Sequence, residues 1–348
     1  MQPLDPKRAR TYPLRRRQSK LARRSLARPV RTGTSMRTFL DGLPHVLAAD
    51  ELRAAASAIA KSHRRGTPVV VGMGAHVIKV GLSPVLIDLM ERRVVTALAM
   101  NGAGIVHDFE LAFAGTTSED VAAGLRRGRF GMARETGEFL NDCIREGATR
   151  KIGIGRAVGE AILRARLPHR RLSLLAAAAR LDVPATVHVG IGTDIIHMHP
   201  GADGAAIGAG SLHDFHLFAA VVGAMNGGVY LNLGSAVIIP EVFVKALNLA
   251  RNLGHRVGRL TCIDMDFIRN YRPHVNVVSR PTADGGRGIE LTGHHEIMLP
   301  LLAAAVLEEL RRSRRPSRAP SRTASGTQGH LLARGPTKRH DAGPHQPA

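Results

Sequence analysis

The chain has 348 residues, 44% of them hydrophobic and only 3% aromatic, with no tryptophan and a formal net charge of +21. Cys143 and Cys262 are its only cysteines, which excludes a disulfide scaffold and a zinc knuckle and makes a reducing, cytoplasmic setting the default expectation. The charge invites a nucleic-acid reading, but residues 1–35 carry a net +10 and 311–348 a net +8, leaving +3 for 36–310. Both ends are rich in Arg, Pro and Ser and read as disordered basic extensions, through which alone nucleic acid would be contacted. Met36 directly precedes folded-looking sequence and is an alternative start to Met1. No secretory signal is visible, and no apolar run of the roughly 18 residues needed to span a membrane is expected. A core of Val, Leu, Ile and Ala suits a buried parallel sheet under helices.

In chain order, the sequence predicts an amphipathic helix over 47–65 and a strand at 68–72. A helix over 84–93 follows, with Ser83 as N-cap and Pro84 in its first turn, and then a strand at 94–100. Helices are expected at 105–114, 118–126, 132–146, 156–167 and 171–181, the second announced by Thr116-Thr117-Ser118-Glu119-Asp120. Pro184 leads into a strand at 185–190. The stretch 190–210 reads as loop, 212–225 as helix and 228–233 as strand. Pro240 opens the helix PEVFVKALNLARN, which Gly254 closes. Strands are expected at 258–264 and 274–279, and a last helix at 298–312. Strands alternating with helices predict one α/β domain over 36–310: a Rossmann-like, doubly wound, mostly parallel sheet with helices on both faces.

In such a sheet ligands bind at the carboxyl ends of the strands. Four stretches bring chemistry there. The first strand ends on Gly72 and Gly74. The third glycine of a Gly-x-Gly-x-x-Gly dinucleotide fingerprint is replaced by Val77, so the strict motif fails while backbone N–H groups could still meet an anion. The second ends on Asn101-Gly102-Ala103-Gly104, with His107 and Asp108 just beyond. The third is the stretch 188–216, which holds His188, Asp194, His197, His199, Asp203, His213, Asp214 and His216. His197 and His199, with His213, would form a metal set if they converge, and Asp194 borders the same loop. The fourth is Gly234-Ser235 before the Pro240 helix, which carries Glu241 in its first turn. Asp284, in the polar loop 280–288, could reach a ligand from that loop.

The order of these pieces across about 65–310 resembles the deoxyhypusine synthase family and its bacterial relatives. The octet Asn101-Gly102-Ala103-Gly104-Ile105-Val106-His107-Asp108 stands where that family has Thr-Ala-Gly-Gly-Val-Glu-Glu-Asp. Val183-Pro184 through Thr193-Asp194, Leu233-Gly234-Ser235-Ala236 through Asn252, and Arg280-Pro281 before the last helix match further pieces in sequence. The resemblance implies a homotetramer with interfacial sites, NAD as cofactor, and transferase chemistry. It places Gly74, Asn101, Gly102, Ala103, Asp194 and Gly234 near the dinucleotide, to which their neighbours Gly72, Gly104 and Ser235 are added. The departures are as informative. The family transfers an aminobutyl group through a lysine imine, yet no lysine occurs between Lys245 and Lys338. The family's polyamine-binding glutamate falls on His107, and its pocket tryptophan has no counterpart.

The leading expectation is therefore an NAD-binding protein acting on a small molecule, possibly an amine, without a covalent lysine. His107 is its acid/base, Asp108 and Glu241 are further catalytic candidates, and His197, His199 and Asp284 are substrate-binding candidates. A metal-dependent hydrolase built on the 188–216 loop, and a non-catalytic oligomeric binding protein with nucleic-acid-binding tails, are the alternatives.

Overall fold

The computed structural model describes residues 1–312, so the basic tail expected over 311–348 lies, from 313 on, outside the described residues. The amino-terminal stretch holds three single 3-10 turns, Pro6–Arg8, Leu14–Arg16 and Arg23–Ser25, with no buried side chain among them. It is pinned where it meets the fold: Arg28 N–H donates to Gly42 O at 2.9 Å and His45 N–H to Ser25 O at 3.0 Å.

Helices α1 (Met36–Gly42) and α2 (Leu47–Arg65) lead into strand β1 (Val69–Met73). A short helix α3 (His76–Lys79) and α4 (Ser83–Glu91) precede β2 (Ala97–Asn101). Helices α5 (Gly102–Ala114), α6 (Val121–Leu125), α7 (Arg134–Thr149), α8 (Ile154–Arg164) and α9 (Leu174–Leu181) intervene before β3 (Ala185–His188). Helix α10 (Gly204–Gly223), β4 (Val229–Leu233), α11 (Ile238–Asn252) and β5 (Thr261–Asp266) follow. Helix α12 (Tyr271–Pro273) runs into a π turn at His274–Ser279, ahead of β6 (Arg287–Thr292) and α13 (His295–Arg312).

The six strands form one sheet in the order β3-β2-β1-β4-β5-β6, and every pairing is parallel. Alternation along β1 sends Val69, Val71 and Met73 to one core, under α2, α4, α5, α8, α9 and α13. Val70 faces the opposite core with Tyr230, Phe218 and Phe243, under α10 and α11. Strand order reverses between β1 and β4, and an open crevice forms above such a reversal.

The expected Rossmann-like, doubly wound sheet is present, and three element readings change. The run HVNVVS at 274–279 is β-branched enough to read as a strand. It forms a π turn because its buried Asn276 reaches across to Glu241 (2.8 Å) and Arg280 (2.7 Å). The strand that completes the sheet is RGIELT at 287–292, hidden beside the glycines of the preceding loop. Helix α10 begins well before 212, because Asp203 accepts from Ala205 and Ala206 N–H at 2.9 and 3.1 Å and caps the first turn. That longer helix also corrects the expectation about apolar runs. At 20 residues and a mean hydropathy of 1.3 it is long and apolar enough to cross a membrane, yet it packs on the sheet and buries Asp214 within it. Ser83, expected as an N-cap, lies inside α4 with a buried Oγ that has no hydrogen-bond partner among the described residues, and Leu82 takes the cap position.

Candidate functional site

The crest of the sheet at the β1/β4 reversal is built from backbone. Gly74 N–H donates to Leu233 O at 3.0 Å, and a Cβ at Gly74 would stand 2.6 Å from Gly234 O. Two chains approach there more closely than any side chain would allow. Gly72 serves packing: a Cβ would meet the Tyr230 hydroxyl at 2.1 Å and Ile239 at 2.6 Å, so the stacked Tyr230–Phe243 rings fill the space expected to face a cofactor. Beyond Gly74 the chain turns into α3 and carries the Lys79 ammonium and the His76 imidazole, whose pKa burial lowers from its ordinary value, to this edge.

On the neighbouring strand, the Asn101 side chain accepts from Gly104 N–H at 3.2 Å and caps α5, so Gly102-Ala103-Gly104 is the first turn of a helix rather than a free glycine loop. The Asp194 carboxylate sits over that turn. It accepts from Ala103 N–H, and a Cβ on Gly102 would lie 1.9 Å from its Oδ2. Burial pushes the Asp194 carboxyl up to about 6, against the Thr193 and Ala103 hydrogen bonds, and Oδ2 has no hydrogen-bond partner among the described residues. His197 holds the same loop closed, its Nδ1 accepting from Gly192 N–H (3.1 Å) and Asp194 N–H (3.4 Å).

His107 lies in the second turn of α5, half-buried. Its Nδ1 is 2.7 Å from Thr117 Oγ1, which lies 2.5 Å from Glu110 Oε2. Burial, with the Lys79 charge second, pushes His107 down to about 4 and outweighs the Glu110 carboxylate 3.8 Å away. Past β5 and β6 the edge carries Asp266, Phe267, His294 and His295. His295 is buried, donates from Nε2 to Met265 O at 3.1 Å, and stands edge-on to His76 at 5.4 Å between ring centres.

Other expected site residues go elsewhere. Asp108 is fully buried and turns inward. It accepts from Ser173 Oγ (2.5 Å), Leu174 N–H (2.6 Å) and Leu175 N–H (3.2 Å), and so caps α9. Glu241 is on α11, over the opposite face of the sheet from α5, paired with Lys245, Arg272 (3.2 Å) and Asn276 (2.8 Å). It borders a cleft of about 490 Å3 between α10 and α11, lined by His188, Ile191, Phe215 and Val237 among others. Ser235 is buried and accepts from Ile239 N–H at 3.3 Å. Asp284 precedes β6 at the amino edge of the sheet, 3.7 Å from Arg251. His199 is buried with Nε2 donating to Gly131 O at 2.8 Å, and His213 is exposed on α10. The imidazoles of 197, 199 and 213 do not converge, and no group of three His, Cys, Asp or Glu side chains is arranged to hold a metal among the described residues.

His76, Lys79, Thr117 and Glu110 were not singled out as site residues from sequence. Lys79 stood in plain view between Gly74 and Gly81; the Thr117 contact depends on a bend of the chain that no local pattern announces.

No protein-family model matches this sequence, and no curated protein matches it. Among solved structures the chain is similar to ArgZ, an arginine dihydrolase of the cyanobacterial ornithine-ammonia cycle. The two share 18% identity and a TM-score of 0.47 over 77% of this chain and 34% of ArgZ, so the chain spans about a third of that protein's length. It is similar to a conserved LOR/SDH-type protein from Methanococcus maripaludis S2 at 16% identity and a TM-score of 0.47, covering 77% of this chain and 71% of the other. It is also similar to a deoxyhypusine synthase-like protein from Entamoeba histolytica at 12% identity and a TM-score of 0.46, covering 79% and 94%. At these identities and TM-scores the likeness is one of general chain arrangement.

Proposed function

We propose that the chain binds NAD or a related dinucleotide in the crevice above β1 and β4, and acts there on a small molecule with His107 as acid/base. The observation that carries this reading is the glycine-to-glycine crossing at the strand-order reversal, where Gly74 meets Gly234 backbone to backbone. Around it stand groups of the right chemistry. Asp194 offers a carboxylate acceptor of the kind that binds ribose hydroxyls. Its negative charge at the start of α5 disfavours a phosphate there, so the pyrophosphate is assigned to the turn after β1, beside the exposed His76 and Lys79. His107, neutral at pH 7, is available to accept a proton from substrate. Asn101, Gly102, Ala103 and Gly104 shape the floor under Asp194, and Gly234 shapes the far wall.

Calorimetric titration tests this. The full-length protein is expected to bind NAD or NADH saturably, and Asp194→Asn and Lys79→Met each to weaken binding roughly tenfold, the worth of about 1.4 kcal/mol. If neither nucleotide binds at millimolar concentration, the reading is wrong.

A further inference from the structure

We propose that Thr117 and Glu110 are positioning residues that fix His107 as the Nδ1–H imidazole and leave Nε2 as its proton-accepting atom. The inference rests on the assignment of His107 as the site's acid/base and adds how that base is wired. The order of donors follows from two distances. Glu110 Oε2 lies 2.5 Å from Thr117 Oγ1, and a carboxylate only accepts, so the single hydroxyl proton of Thr117 goes to Glu110. Thr117 Oγ1 therefore has only lone pairs for the His107 ring, and Nδ1, at 2.7 Å, must donate. In a neutral ring the other nitrogen then carries the lone pair. The second Glu110 oxygen is held by Thr136 Oγ1 at 3.3 Å, so α7 anchors the far end of the chain of hydrogen bonds.

The backbone bears the cost of this arrangement. Gly115, at φ +72°, ends α5 in the left-handed region, and Ser118, also at φ +72°, follows Thr117. A non-glycine residue held there costs on the order of 1 kcal/mol, and the bend between the two returns Thr117 to a residue ten positions earlier. A proton taken from a substrate O–H or N–H by Nε2 would give an imidazolium whose Nδ1–H stays on Thr117, with the Glu110 carboxylate behind it and the Lys79 ammonium opposing it.

The test is the tautomer itself, read by long-range 1H–15N correlation on uniformly labelled full-length protein at pH 7, His107 being assigned with a His107→Gln variant. The wild type is expected to show a protonated Nδ1 and an unprotonated Nε2. Thr117→Val is expected to lose that pattern for a mixture, and Thr117→Ser to restore it. A wild-type ring protonated at Nε2 overturns the proposal, and so does an unchanged Nδ1–H pattern in folded Thr117→Val. The wild-type spectrum decides the point even where the valine variant fails to fold. No ligand is needed, so the outcome is independent of whether NAD binds.

Discussion

Asp108, Asp194 and Asp214 are buried carboxylates that serve the fold in the same way, since each receives backbone N–H groups from the first turn of a helix. Asp108 takes those of α9, Asp194 that of Ala103 in α5, and Asp214 those of Ile154 and Gly155 in α8 together with Val187. Burial pushes their carboxyls up, to about 6 for Asp108 and about 7 for Asp214. Asp108→Ala is therefore expected to lower stability by about 2–3 kcal/mol, because it strands three donors, while leaving the proposed NAD binding unchanged; denaturant melts and titration of the same variant check both. Buried histidines respond to pH in the opposite sense. His188, pushed down to about 4 by burial, stays neutral in the fold and protonates near 6.5 when unfolded. The stability it carries is present above pH 6.5 and is lost as pH falls toward 4, by up to about 3 kcal/mol. Denaturant melts at pH 7.5 and pH 5 should show His188→Gln losing less on acidification than the wild type.

Glycines separate into those the elements require and those they tolerate. A Cβ at Gly74 would collide with backbone at Gly234, which cannot step aside, so Gly74→Ala should cost about 1–3 kcal/mol. A Cβ added at Gly208, inside α10, would meet nothing within 4 Å, and Gly208→Ala should raise stability by roughly 0.5–1 kcal/mol. Thermal melts of the pair give opposite signs if the packing is as described. Much of this element layer was legible in the sequence. The 3.6-residue period over 47–65 marked α2, because Leu52, Ala55, Ala56, Ile59 and Ala60 fall on one buried face. What could not be read was set by distant partners. Asn276 turns a β-branched run into a helical turn by bonding to Glu241, and β6 is a strand because β5 lies beside it. The site divides in the same way. Gly74, Asn101 and Gly234 could be placed at strand ends from the sequence, and Asp194 in the loop that follows β3. Asp108 was misread, since its neighbour His107 points to Thr117 while Asp108, one helix position on, points to α9.

At the scale of the molecule, the reversal in strand order puts two different surfaces at one edge of the sheet. Over the α5 side stand Asp194, His107 and Lys79, and over the α10/α11 side lies the apolar cleft bordered by Glu241. Under the proposed function the dinucleotide would lie over the first surface and the crest between the two. Hydrogen–deuterium exchange with and without saturating NAD tests that assignment most directly. The prediction is slowed exchange in 72–79, at the start of α5 and in the 190–197 loop, with α10 and α11 little changed. No protection anywhere, or protection confined to the α10/α11 cleft, would contradict it.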